Sequence, residues 1–76
     1  MPSILKKQKQ TERAMDMNLS TTELEVLEQQ LEHEQALVKK YRTFAGECTD
    51  AQLKVTCNQI ADKHQQHFNT LMGYLQ

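Results

Sequence analysis

Apolar residues recur at alternating spacings of three and four through most of the chain, which places side chains on one face of an α-helix. The first inward-facing series is Leu24, Leu27, Leu31, Glu34, Val38, Tyr41, Ala45 and Cys48. The second inward-facing series is Leu53, Cys57, Ile60, His64, His67, Leu71 and Tyr74. These series predict two amphipathic helices of about 25 residues, each about 38 Å long. Connected through residues 46–50, the helices would form an antiparallel hairpin.

The start of the first helix is marked by a capping box. Ser20 and Glu23 stand three positions apart, so each side chain can bond the backbone amide of the other residue. Leu19 and Leu24, on either side of this cap, predict a hydrophobic staple. The first helix is therefore expected to begin at residue 20 or 21.

The connection between the helices carries its own stop and start signals. Gly46 is the predicted end of the first helix, because glycine commonly follows a helical C-terminus. Thr49 or Asp50 is the predicted N-terminal cap of the second helix. That helix is expected to run close to residue 76.

Both apolar faces are wider than a two-stranded coiled coil requires. Leu37 and Phe44 widen the first face, and Ala61, Phe68 and Leu75 widen the second. Such faces are typical of helical bundles. A lone hairpin of this size buries too little apolar surface to offset the entropy lost on ordering the chain. The predicted fold is therefore all-α, with two hairpins forming a four-helix bundle as a homodimer.

Glu34, His64 and His67 are the strongly polar members of the two inward-facing series. In an antiparallel hairpin Glu34 faces His64, with His67 one turn away. A carboxylate in an apolar seam is costly unless it is paired or coordinates a metal. Two interpretations follow: a buried ion pair or hydrogen-bond network that fixes helix register, or a metal site.

Composition excludes several classes of function. The net charge of −1 gives the whole chain no electrostatic basis for binding nucleic acid. There is no apolar run of about 20 residues that could span a bilayer. The first residues lack the apolar core of a signal peptide, so an intracellular location is expected. Cys48 and Cys57 are interpreted as small inward-facing hydrophobes, with a disulfide unexpected in a reducing compartment.

The first 19 residues differ from the rest of the chain. They contain four basic residues against two acidic ones, a balance of +2, and no aromatic residue. We interpret residues 1–19 as a solvated N-terminal basic tail and residues 20–76 as the helical hairpin.

The sequence offers little chemistry for catalysis. No serine or cysteine nucleophile stands beside a base on one helix face, and no glycine-rich phosphate loop is present. We therefore expect no enzymatic activity.

Several stretches carry a family resemblance. They are LEHEQ at 31–35, KKY at 39–41, TDAQLK at 49–54 and KHQQHFNTL at 63–71. In these motifs the chain resembles the coat-F-like spore coat proteins of endospore-forming bacteria, which belong to the ferritin-like superfamily. The resemblance covers roughly residues 19–76. It implies a hairpin that is half of a ferritin-like bundle, in a protein located in the spore coat, with other coat proteins as possible partners.

The resemblance also bears on the polar residues of the seam. Metal-binding members of the superfamily use a Glu on one helix and a Glu-x-x-His pair on the next. Glu34 matches the first glutamate and His67 matches the histidine, but His64 stands where the second glutamate would be. The missing carboxylate weighs against a di-iron site, whereas Glu34, His64 and His67 are ligand types of zinc with one open position.

The sequence thus predicts a structural, non-enzymatic, spore coat-associated protein with no certain cofactor. The alternative is a metal-binding bundle, holding zinc or iron at Glu34, His64 and His67, with a storage or redox role.

Overall fold

A computed structural model describes residues 19–75 as two helices packed against each other. Helix α1 spans Thr21–Glu47 and helix α2 spans Ala51–Met72, followed by a short 3₁₀ turn over Gly73–Leu75. No strand occurs in this range. The predicted all-α hairpin is confirmed for these residues, whereas most of the predicted tail, residues 1–18, lies outside them.

The N-terminus of α1 has the predicted capping box. The Glu23 amide donates to the Ser20 hydroxyl oxygen at 3.0 Å, and the Ser20 amide donates to the Glu23 carboxylate at 2.9 Å. Two backbone donors that the helix itself cannot satisfy are thereby bonded. Leu19 and Leu24 are both half-buried beside this cap.

The predicted end of α1 at Gly46 is wrong by one residue. The helix continues through Gly46 to Glu47, and Cys48 is the capping residue with extended backbone angles of φ −75° and ψ 137°. Gly46 has no positive φ, so the chain does not leave the helix through a left-handed glycine. The Cys48 amide instead donates to the carbonyl of Phe44 at 3.0 Å.

Helix α2 begins at one of the two predicted caps. The Asp50 carboxylate accepts a hydrogen bond of 2.8 Å from the Leu53 amide, which makes Asp50 the cap and leaves Thr49 in the connection. A short connection between two long helices brings α2 back antiparallel along α1.

Contacts between side chains fix the register of the two helices. Arg42 donates to the side chain of Asn58 at 3.0 Å and to the Asp62 carboxylate at 2.7 Å. Nearer the middle of the hairpin, Glu34 meets His64. Both sets of contacts join residues at the same level of antiparallel helices.

The inward series predicted for α1 is confirmed, because all of its members are buried or half-buried. The series predicted for α2 is partly wrong: Leu53 is 51% exposed and Tyr74 is 61% exposed. Ala61, which was expected to widen the apolar face of the second helix from beside this series, is fully buried. Leu53 lies in the first turn of α2, and Tyr74 lies in the 3₁₀ turn beyond its last residue, so both stand at the ends of the packed helix.

The interior of the hairpin is small. In the described range, the buried residues are Leu27, Ala45, Cys57 and Ala61. The large apolar residues that remain exposed are Val26, Phe44, Leu53, Val55 and Tyr74. Small side chains let the helices approach closely, but they remove little apolar surface from water.

Candidate metal centre

The candidate site lies at mid-height in the hairpin. Glu34 is the central residue of α1, thirteen residues from either end of Thr21–Glu47. His64 and His67 are three positions apart on α2, so both project from neighbouring turns of one helix face. The two helices therefore bring one carboxylate and two imidazoles together, as the sequence predicts.

Glu34 contacts both histidines through different oxygens. His64 Nδ1 lies 2.6 Å from Glu34 Oε1, and His67 Nδ1 lies 3.5 Å from Glu34 Oε2. Because an ionised carboxylate only accepts hydrogen bonds, His64 Nδ1 is the donor in the shorter contact. The His64 contact is a strong, charge-assisted hydrogen bond, and the His67 contact is a longer electrostatic one.

The charge state of Glu34 follows from these contacts. The hydrogen bond from His64 lowers the pKa of Glu34 below its usual value, although partial burial acts in the opposite direction. The positive charge that His64 and His67 can carry lowers this pKa further. Glu34 is therefore held as a carboxylate, the form that accepts hydrogen bonds and binds metals.

The three side chains are not equally buried. The exposed fraction of the side chain is 12% for Glu34, 22% for His64 and 56% for His67. The prediction that all three face inward is correct for Glu34 and His64, but His67 lies at the edge of the seam. The cluster is therefore open to its surroundings on the side of His67.

Aromatic rings hold the histidines in place. The Tyr41 ring stacks on His64 with centroids 6.2 Å apart, and His67 meets His64 edge to face at 5.6 Å. Tyr41 also meets Phe44 edge to face at 5.7 Å. This row of rings crosses from α1 to α2 beside the Glu34 and His64 contact.

Tyr41 and Tyr74 were both expected on the seam. Tyr41 lies there and is half-buried, but Tyr74 projects into solvent. His33, next to Glu34 in the sequence, is exposed.

The donor set suits a metal such as zinc in type and number. One ligand atom from each of Glu34, His64 and His67 can be chosen so that all three lie within 4.8 Å of one another. In a tetrahedral zinc site with bonds of about 2.0–2.1 Å, ligand atoms lie about 3.3 Å apart. The 2.6 Å contact between Glu34 and His64 is shorter than this, since a proton lies between the two atoms. A metal would have to replace that proton, and the three ligand atoms, which now lie up to 4.8 Å apart, would have to move to this spacing.

Sequence reasoning missed the Arg42 contacts with Asn58 and Asp62. No local spacing indicates them, because the partners are 16 and 20 residues away. They could have been found from the register: once Glu34 is placed opposite His64, Arg42 falls at the level of Asn58. This exposed cluster acts as a second cross-link between the helices.

The two cysteines are free thiols near the connection between the helices. Cys57 is buried and Cys48 is half-buried, in agreement with their interpretation as small hydrophobes. Burial raises the pKa of the Cys48 thiol, and the neighbouring Cys57 raises it further. Both effects disfavour the reactive thiolate form.

No family model, curated protein or solved structure matches the chain. Neither α1 nor α2 combines the length and apolar character needed to cross a membrane.

Proposed function

We propose that this chain is a structural, non-enzymatic protein that works as a homodimeric four-helix bundle of ferritin-like type and is associated with the spore coat. The observation that carries the proposal is the mismatch between the small interior and the exposed apolar residues. The largest side chain in the interior is Leu27, whereas Phe44, Leu53 and Tyr74 are 43%, 51% and 61% exposed.

A second copy would resolve that mismatch. Packing two hairpins side by side moves apolar side chains from water into a shared interior, at about 25 cal/mol for each Å². Small domains of this length commonly obtain the missing stability from oligomerisation. A packing module needs no reactive group; Cys57 is buried, and the raised pKa of Cys48 disfavours its nucleophilic thiolate form.

Association with the spore coat is supported by the motifs at residues 31–35, 39–41, 49–54 and 63–71, which resemble coat-F-like proteins. The test is a fluorescent fusion of the full chain, expressed in a sporulating endospore-forming bacterium. We expect fluorescence in a ring around the developing spore and its retention on purified spores. Uniform fluorescence in the mother cell, lost when spores are washed, would contradict the coat role.

A second candidate function is metal binding, and one observation favours it specifically. Glu34, His64 and His67 converge with their ligand atoms within 4.8 Å. If a metal is bound, these three residues would hold it, and it would supply a Lewis acid with one position open to a further ligand. Zinc suits this donor set better than iron, because His64 takes the place of a bridging carboxylate. A storage or redox role with iron belongs to the same candidate.

Metal analysis separates the two candidates. The purified chain is dialysed against zinc or ferrous iron, freed of unbound metal and analysed by mass spectrometry for elements. Retention of about one metal per chain that depends on His67 supports the metal-binding candidate. Retention below about one metal per ten chains supports the structural candidate.

A further inference from the structure

The hairpin has two unlike sides, one on each side of the plane that contains both helices. One side, the polar flank, consists of Gln35, Arg42, Asn58, Asp62, Gln65 and Asn69. Polar contacts run along it, including the Arg42 cluster and a hydrogen bond of 3.0 Å from Gln65 to Asn69. The other side, the apolar flank, consists of Leu37, Phe44, Leu53, Ile60, His67 and Tyr74.

Helix spacing places the members of the apolar flank on one side. Leu53, Ile60 and His67 follow one another at intervals of seven within α2, as Leu37 and Phe44 do within α1, and Tyr74 lies in the 3₁₀ turn that follows α2. Residues seven apart lie two turns apart on almost the same face of a helix. The ring contacts from Phe44 through Tyr41 and His64 to His67 join the α1 and α2 parts of this flank.

The apolar residues of this flank are most exposed towards its two ends. Phe44 and Leu53 are 43% and 51% exposed near the connection, and Tyr74 is 61% exposed at the opposite end. Leu37 and Ile60 lie between these ends and are half-buried. The flank also includes the exposed His67, and the Lys40 ammonium lies 5.9 Å from the centre of the Phe44 ring. Exposed apolar side chains gathered on one side, with polar groups among them, are characteristic of an interaction surface.

We infer that a second copy of this chain binds on the apolar flank, so that the dimer buries the open side of the Glu34, His64 and His67 cluster. This inference rests on the proposed homodimer and names the surface through which it forms. A two-fold contact uses the same patch on both subunits, so one apolar flank supplies both halves of the interface. The small interior of each hairpin indicates that the flank must be covered for the fold to be stable.

The position of Glu34 gives the contact a further property. Because Glu34 is the central residue of α1, two hairpins joined in either direction bring their clusters to the same level. His67, with a 56% exposed side chain on the apolar flank, would then lie at the interface rather than in solvent.

The competing surface is an open groove on the other side of the hairpin. Its apolar lining is Ala36, Val38 and Phe68. The rest of the lining is charged or carries amides: Glu32, Gln35, Lys39 and Gln65. Covering the groove would remove water from these polar groups without providing evident partners, which opposes association there.

A matched pair of variants tests the inference on the full chain. Leu53 lies on the apolar flank and Val55 on the outer side of the same helix, yet the two residues are similarly exposed, at 51% and 47%. Sedimentation equilibrium would compare Leu53→Lys with Val55→Lys. We expect Leu53→Lys to raise the dimer dissociation constant by at least about tenfold, and Val55→Lys to change it by less than about twofold.

Two further variants keep the test decisive. Tyr74→Lys places a charge at the other end of the apolar flank and should also weaken the dimer by at least about tenfold, whereas Gln65→Lys on the polar flank should not. Circular dichroism checks that helicity is retained, and Tyr74→Lys serves if Leu53→Lys unfolds. If Gln65→Lys weakens the dimer and the apolar-flank variants do not, the homodimer exists but does not form through the apolar flank, and the inference is overturned. A monomeric wild type would overturn both.

Discussion

Glu34 on α1 accepts a 2.6 Å hydrogen bond from His64 on α2, at the centre of a seam that is otherwise largely apolar. The contact joins residues 30 apart in the sequence and aligns the two helices. A one-turn shift of either helix would leave the carboxylate without His64 as its partner. The pair therefore favours one register over its neighbours, as polar residues do in coiled coils.

Replacing the carboxylate should weaken the hairpin. Glu34→Gln keeps the shape of the side chain and removes its charge, so the bond to His64 loses its charge-assisted character. We expect the free energy of unfolding to fall by about 1 kcal/mol, because the pair is only partly shielded from water. Urea denaturation measures the change. Glu32→Gln, an exposed neighbour, is the control and should change stability by less than about 0.5 kcal/mol. Equal losses in the two variants would contradict the role of the pair.

The same pair predicts a dependence on acid. The His64 hydrogen bond lowers the folded-state pKa of Glu34 below its unfolded value, so the contribution of Glu34 is fully present above the unfolded pKa. It is lost as the pH falls through the folded pKa. With a chelator present, the stability difference between wild type and Glu34→Gln should therefore shrink progressively as the pH falls below the ordinary glutamate pKa of about 4.5. A difference that stays constant, or grows, on acidification would show that Glu34 is not stabilised as a carboxylate.

Zinc provides an independent test of the cluster. Binding to the folded state alone raises the melting temperature in proportion to the logarithm of ligand concentration once the site is saturated. We expect zinc to raise the melting temperature of the wild type and a chelator to reverse the effect. His67→Ala should abolish the response, and His33→Ala, which alters an exposed histidine outside the cluster, should retain it. A zinc response that survives in His67→Ala would place the binding elsewhere.

The cap of α1 can be tested separately from the cluster. Ser20→Ala removes the hydroxyl that accepts from the Glu23 amide, and should lower the free energy of unfolding by about 1 kcal/mol. Thr22→Ala, two positions into the helix, provides the control and should be neutral or slightly stabilising. Equal destabilisation by both changes, measured in urea, would argue against the capping box.

Local features of the structure could be predicted from the sequence more completely than long-range ones. The capping box at Ser20 was predictable, since it depends on residues three positions apart, and the second cap was narrowed to Thr49 or Asp50. The encounter of Glu34 with His64 was also predictable, because the short connection limits how the helices can pair. The exposure of Leu53 and Tyr74 was not, because periodicity assigns a residue to a helix face but does not show where the packed part of the helix begins and ends. The helix continues past Gly46 and ends where Cys48 adopts extended backbone angles, and residue type alone does not determine which residue leaves the helix.

The mass of the particle in solution shows whether the chain forms the proposed homodimer. Gel filtration coupled to static light scattering, on the full chain at micromolar concentration, reports mass independently of shape. With a chain mass of 8.9 kDa, the account predicts a particle of about twice that mass. Dilution should dissociate the dimer and reduce helicity together, because each hairpin needs the other to complete its interior. A particle of 8.9 kDa that unfolds cooperatively at every concentration would contradict the account.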